Sequence, residues 1–457
     1  MPAGSYDLGA LGYDEREFLI EGIATSFALV GERTPDGRWT VGPDSESPYV
    51  TRFVVRTPSD PARFSGTVAV EWNNVSGGVD VGPDWTLLHR DLIAQGHGWV
   101  GVSAQKAGID GGGLVEGMHL KVLAPDRYGA LQHPGDGWSF DIFTQVATAL
   151  RSRDEDAPLG GLVAERLIAL GESQSAAFLV TYINAIDLEA AVFDGFFVHG
   201  RGAGGAGLDG FRAARGGDLD DATRSILGSP ERIRDDVRVP VLVLQSETDV
   251  VLLGGGLPDQ PDGPRLRLWE IAGAAHADTY LLVAGAQDDG ELSPDGLAEL
   301  LRPTTELMIG NTDTPINSGP QQHYVGQAAF EALVAWVAGG PTPPAASRLD
   351  LAEGGGLKLD GHGNATGGVR TPWVDVPTAR LSGLGQGGQS FAFLFGKSEP
   401  FDQSALEAAY PGGQIDYVAK FTASLDHAIA GGFILASDRP EILGLAAAAS
   451  PFQSRAS

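Results

Sequence analysis

Short apolar runs, each ended by glycine, proline or a polar cluster, recur along the first three quarters of the chain. Residues 66–72, 98–104, 167–170, 190–198 and 265–271, and the proline-opened start of 239–250, are of this kind. They read as strands buried on both faces of a parallel sheet, which are apolar throughout and do not alternate. Residues 49–56 do alternate and predict a strand with one solvated face, within a β-rich cap over 1–65. Segments 84–95, 140–151, 176–183 and 324–337 have helical character, the last closed by Gly339-Gly340-Pro341. Strand and helix in alternation predict an α/β fold with helices on the sheet.

Four stretches fall outside that rhythm. Residues 105–137 read as a long irregular loop, and loops of that length are usually functional. With the residues just after it, this loop carries Tyr128, His133, Trp138 and Phe140, which would either line an apolar pocket or anchor the loop to the core. Residues 200–235, rich in glycine and arginine, suit a lid over the strand ends. Residues 284–322 form a second insertion. The core is expected to span 1–340. A C-terminal extension, 341–457, is too patterned for disorder, with strands and turns over 349–381 and helices over 404–443.

Composition narrows the function. A formal charge of −28 argues against nucleic acid or an anionic membrane as partner. No apolar run approaches the roughly 20 residues of a membrane span. The chain has no cysteine, so disulfides, a thiol nucleophile and cysteine-bound metal are excluded. The first residues lack a basic and an apolar signal region, and a cytoplasmic location is expected. Asp360-Gly-His-Gly-Asn364 lacks the sixth-position glycine and terminal glutamate of a calcium loop, and reads as a turn.

Candidate chemistry lies at the strand ends. Gly171-Glu172-Ser173-Gln174-Ser175 joins a strand to a helix, which is the context of a nucleophile elbow. So tight a bend needs small flanking residues. Gly171 meets the need on one side, and Ser175 stands where glycine is usual on the other. The plainer reading of Ser173 is a helix N-cap. Upstream, strand 66–72 runs into Asn73-Asn74-Val75-Ser76-Gly77-Gly78. A loop there is expected to give one oxyanion donor from the Asn73–Asn74 region, with Gln174 giving the other. The alternative is a plain turn. Past strand 239–250 stand Asp249, the expected acid, and Glu247, the alternative acid or a brace for the loop. His276, one of nine histidines, follows the last strand where a base is needed. Asp278 and Tyr280 are expected near the site, and His199 is left without a role.

The order Ser173, Asp249 or Glu247, His276 is that of α/β-hydrolases. Together Gly-Glu-Ser-Gln-Ser-Ala (171–176), Val-Glu-Trp-Asn-Asn-Val-Ser (70–76), Gln-Ser-Glu-Thr-Asp-Val (245–250) and Ala-Gly-Ala-Ala-His-Ala-Asp (272–278) resemble the α/β-hydrolase superfamily. More narrowly, residues 127–136 and 367–377 are similar to a subgroup of long "alpha/beta hydrolase domain" proteins. The resemblance covers nearly the whole chain. It implies an eight-stranded, mostly parallel sheet and a serine nucleophile. The expected function is cofactor-independent hydrolysis of a small carboxylic ester, with Ser173, His276 and Asp249 as the triad. Tyr128, Trp138 and Tyr280 are the expected substrate contacts, and no metal is expected. An acyltransferase, a lactonase, an amidase or a non-catalytic binding homologue are the alternatives, and neither substrate nor oligomeric state is implied.

Overall fold

Eight strands form one sheet in the order β1-β2-β4-β3-β5-β6-β7-β8. They are β1 (Tyr13–Leu29), β2 (Val41–Pro58), β3 (Thr67–Trp72), β4 (Gly98–Val102), β5 (Arg166–Glu172), β6 (Gly195–His199), β7 (Val241–Ser246) and β8 (Leu266–Ile271). β3 to β8 run parallel, while β1 pairs antiparallel with β2, and β2 antiparallel with β4. The computed structural model describes residues 4–113, 117–154, 156–210, 229–308, 310–389 and 391–452. Half of the lid expected over 200–235 thus lies, at 211–228, outside the described residues.

The unbroken apolar runs are explained by two layers. Along the strands, Val68, Val70, Trp72, Leu167, Ala169, Phe196 and Val198 face helices Ser139–Leu150 and Gln174–Thr181. Alternate residues, Ala69, Ile168, Leu170, Phe197, Leu242 and Leu244, face helices Pro83–Ala94 and Gln321–Val337. The first layer centres on Trp72, whose ring lies 4.9 Å from both Phe143 and Phe178.

Residues 17–29 form most of the 17-residue β1, within the cap expected to be β-rich. As an edge strand β1 is only partly buried, so its pattern is diluted. Side chains cap its free edge: Gln145 donates to the Ile23 carbonyl (2.9 Å) and Asp141 accepts from the Thr25 N–H (2.7 Å). Within the loop expected over 105–137 stand three short helices, Lys106–Asp110, Leu120–Leu123 and Pro125–Tyr128. Each spans about one turn, too short for a periodic pattern to show.

Residues beyond 340 pack closely on the sheet and its helices. Val369 pairs with the end of β8, Ala272 N–H donating to its carbonyl at 3.1 Å. Phe433 meets Trp269 edge-on at 4.9 Å. Helices Gly413–Ala430 and Arg439–Ala448 bury Phe421, Leu425 and Ile442 in a cluster that includes Tyr324 of the long helix. Among the described residues no helix is long and apolar enough to cross a membrane.

Because that cluster is shared with Tyr324, Leu425→Ala is expected to destabilise the whole chain by about 2–5 kcal/mol. Thermal unfolding followed by tryptophan fluorescence should show one transition at lower temperature. An earlier, separate transition would mean that the C-terminal segment unfolds on its own.

Candidate active site

At the end of β5 the chain turns sharply. Ser173 sits at φ 62°, ψ −119°, and helix Gln174–Thr181 starts at the next residue. A β-carbon on Gly171 would lie 3.0 Å from the Ser175 carbonyl carbon and oxygen, so glycine is needed there. Ser175 is fully buried and its hydroxyl has no partner, so it fills the place of the usual glycine as a small residue. Ser173 is not a side-chain N-cap, since its hydroxyl makes no capping bond. Instead its Oγ lies 2.8 Å from Nε2 of His276.

His276 stands in the loop after β8, which is tied on several sides. Its N–H donates to Thr248 Oγ1, and its carbonyl accepts from Gln322 Nε2. Asn317, from the second insertion, donates its Nδ2 to the Gly273 carbonyl (2.8 Å). Gly200, at φ +63°, leaves room for the imidazole, since a β-carbon there would stand 3.2 Å from His276 Cε1.

The two candidate acids separate. β7 is followed at once by a short helix, Glu247–Val251, whose N-cap is Ser246. One turn of helix aims the carboxylates differently. Asp249 Oδ1 lies 2.5 Å from His276 Nδ1, and its Oδ2 accepts from the Ser246 N–H at 2.6 Å. Glu247 instead accepts from the N–H groups of Gly273 (2.6 Å) and Gly383 (2.8 Å), tying the histidine loop to the C-terminal segment.

The loop after β3 departs from expectation in detail. The Asn73 N–H donates to the Val102 carbonyl and the Asn74 N–H to the Val81 carbonyl. Neither backbone donor is therefore available to an oxyanion. The Asn74 side chain clamps the loop to the elbow, Nδ2 donating to the Glu172 carbonyl at 3.0 Å. The Asn73 amide is held by Asp80, which in turn pairs with buried Arg52. The next N–H, that of Val75, has no partner among the described residues. Nor has the Gln174 N–H a partner within its helix, being the first residue of that helix.

A family model described as "Alpha/beta hydrolase domain" matches residues 1–444. The chain belongs to the alpha/beta hydrolase family. No curated protein matches it. Among solved structures it is similar to a fungal esterase from Rhizomucor miehei (13% identity, 60% of this chain and 80% of that one, TM-score 0.30). It is also similar to a serine hydrolase without a lid from Xanthomonas campestris (15% identity, 54% and 83% covered, TM-score 0.27). A thermostable esterase from Pseudomonas putida gives 14% identity, 56% and 70% covered, and a TM-score of 0.28.

Other expected residues of this alpha/beta hydrolase bond to groups other than the serine. Tyr280 is fully buried, stacked on His323 at 3.9 Å with its hydroxyl donating to Asp288, so it is a core residue. Tyr128 donates its hydroxyl to Glu17 and accepts from Arg52, anchoring the long loop. His133 and Phe140 are buried and anchor it too. Trp138 does line a cavity of about 480 Å³, with Phe27, Trp39 and Leu208, whose lining does not include Ser173 or His276. Among the described residues no three His, Asp or Glu side chains are arranged to hold a metal. Asp360 accepts from the His362 and Asn364 N–H groups and pairs with Arg370, as a turn.

Burial would lower the His276 pKa, but the carboxylates of Glu172 and Asp249 outweigh it and push it up to about 9. Burial pushes Glu172 up to about 7 against the pull of His276 and His199, and Glu247 also up to about 7. Val75 and Glu172 have no signal in the sequence beyond their place beside the asparagines and the serine.

A hydrogen bond as short as that between Asp249 and His276 should give a far-downfield proton resonance in NMR spectra. That resonance should vanish in Asp249→Asn and survive in Glu247→Gln. Its loss in the glutamine variant alone would reverse the assignment of the two acids.

Proposed function

We propose that this alpha/beta hydrolase is a serine-dependent esterase acting on a small carboxylic ester. The observation that carries the reading is the chain of hydrogen bonds from Asp249 through His276 to Ser173 Oγ. In it, Nδ1 of His276 is held by a carboxylate, which leaves Nε2 to accept the serine proton. Ser173 Oγ then attacks the acyl carbon, and the carbonyl π electrons move onto the carbonyl oxygen. The developing oxyanion is held by the N–H groups of Gln174 and Val75, in place of the Asn73 and Asn74 donors expected at first. Such donors usually provide the largest electrostatic contribution to acyl transfer. Collapse of the tetrahedral intermediate breaks the bond to the alcohol oxygen, and His276 gives its proton to the departing alkoxide. Water, deprotonated by His276 in turn, cleaves the acyl-enzyme and restores Ser173. Asp249 stabilises the imidazolium through both halves.

No nucleic acid or membrane enters the reading, since the net charge of −28 opposes both.

A fluorophosphonate probe should label Ser173 stoichiometrically, as mapped by peptide mass spectrometry. Ser173→Ala and His276→Ala should abolish both labelling and ester hydrolysis, while Ser175→Ala keeps much of each. Labelling that persists in Ser173→Ala would move the nucleophile elsewhere. Val75→Pro removes the proposed donor N–H and should lower kcat by roughly 10²–10³-fold. An unchanged kcat would exclude it.

A further inference from the structure

One carboxylate in the site has no place in this chemistry. Glu172, immediately before the serine, is buried, and its Oε1 lies 3.1 Å from Nε2 of His276. That is the nitrogen facing Ser173. The hydrogen bond at Nε2 is with the serine hydroxyl, so Glu172 touches the imidazole as a second charge and not as its hydrogen-bond partner. Gly200 makes the approach possible, because a β-carbon there would lie 3.2 Å from His276 and 3.5 Å from Glu172 Oε1.

Glu172 is itself held in place. Its Oε2 accepts from Asn74 Nδ2 at 3.3 Å. Parallel pairing of β5 with β6 sets it beside His199, whose Nδ1 bonds Asp84 Oδ1 at 2.8 Å. The facing groups are therefore Glu172 from β5, His199 from β6, Asp84 from the start of helix Pro83–Ala94, and Asp249 after β7. Asp278, in the histidine loop, is fully buried as well. Burial works to lower the His199 pKa, but Asp84 outweighs it and raises it, and His276 and His199 both pull the Glu172 pKa down against burial.

We propose that Glu172 is a positioning residue: its carboxylate stabilises the His276 imidazolium from the serine side and thereby sets the pH range in which the site works. The imidazole must be neutral to take the serine proton. A raised histidine pKa keeps it protonated to higher pH, so reactivity is lost as pH falls through that raised value. The same contact strengthens the base once it is free and steadies the imidazolium formed during acyl transfer. An opposite charge this close shifts a pKa by roughly 1–3 units.

This inference rests on Ser173 and His276 being nucleophile and base, and the experiment separates the two claims. The rate of fluorophosphonate labelling is measured against pH for the wild type, Glu172→Gln and Glu172→Asp. In parallel, the His276 imidazole is titrated by NMR in Ser173→Ala, with and without Glu172→Gln. The wild-type acid limb should lie above the usual histidine value of about 6.5. Glu172→Gln should move it down by roughly 1–3 pH units, and Glu172→Asp should restore part of the shift. The NMR titration should move by the same amount. Lower labelling at every pH with limb and titration in place would reduce Glu172 to packing and overturn the proposal alone. If no protein labels at any pH, the esterase reading fails, and an unmoved titration would then overturn the role of Glu172 as well.

Discussion

Ser173 is held at a positive φ that a side chain disfavours, at a cost of about 1–3 kcal/mol. The Ser173 N–H donates to the His199 carbonyl at 2.9 Å, so the neighbouring strand fixes the turn from below. Gly171 lets the bend close against Ser175, and Asn74 clamps its outer side. The strained serine therefore depends on the order of the sheet, in which β3 and β6 flank β5. Its hydroxyl is lifted clear of the strand end and meets a histidine delivered by β8.

The same logic extends to the C-terminal segment. Glu247 binds Gly273 before the histidine and Gly383 after the usual end of such a fold. Thr248 accepts from the His276 N–H and donates to the Gly383 carbonyl. The Ala277 N–H donates to the Leu394 carbonyl at 3.1 Å. Residues beyond 340 thus help hold the histidine loop.

Much of this was legible in the sequence, for a physical reason. Parallel strands buried on both faces leave an unmistakable apolar run, and Ser173, Asp249 and His276 each follow such a run closely. What could not be read depends on tertiary pairing. Spacing put both Glu247 and Asp249 past β7, and only the short helix there turns one of them to His276. Which N–H is free in the loop after β3 is decided by pairing with Val102 and Val81, which no local pattern announces. Tyr280 lies four residues beyond His276, but the turn Tyr280–Ala284 directs its ring into the core. Glu172 occupies a variable position of the elbow motif, and its contact with His276 joins β5 to the loop after β8.

The most direct measurement is rapid-mixing kinetics with a p-nitrophenyl ester, paired with mass mapping of protein quenched during the first turnover. Nitrophenolate should appear in a burst stoichiometric with enzyme, and the acyl group should be found on Ser173. A burst with the acyl group on another residue, or steady turnover with no acyl-enzyme when deacylation is slowed, would contradict the nucleophilic role of Ser173.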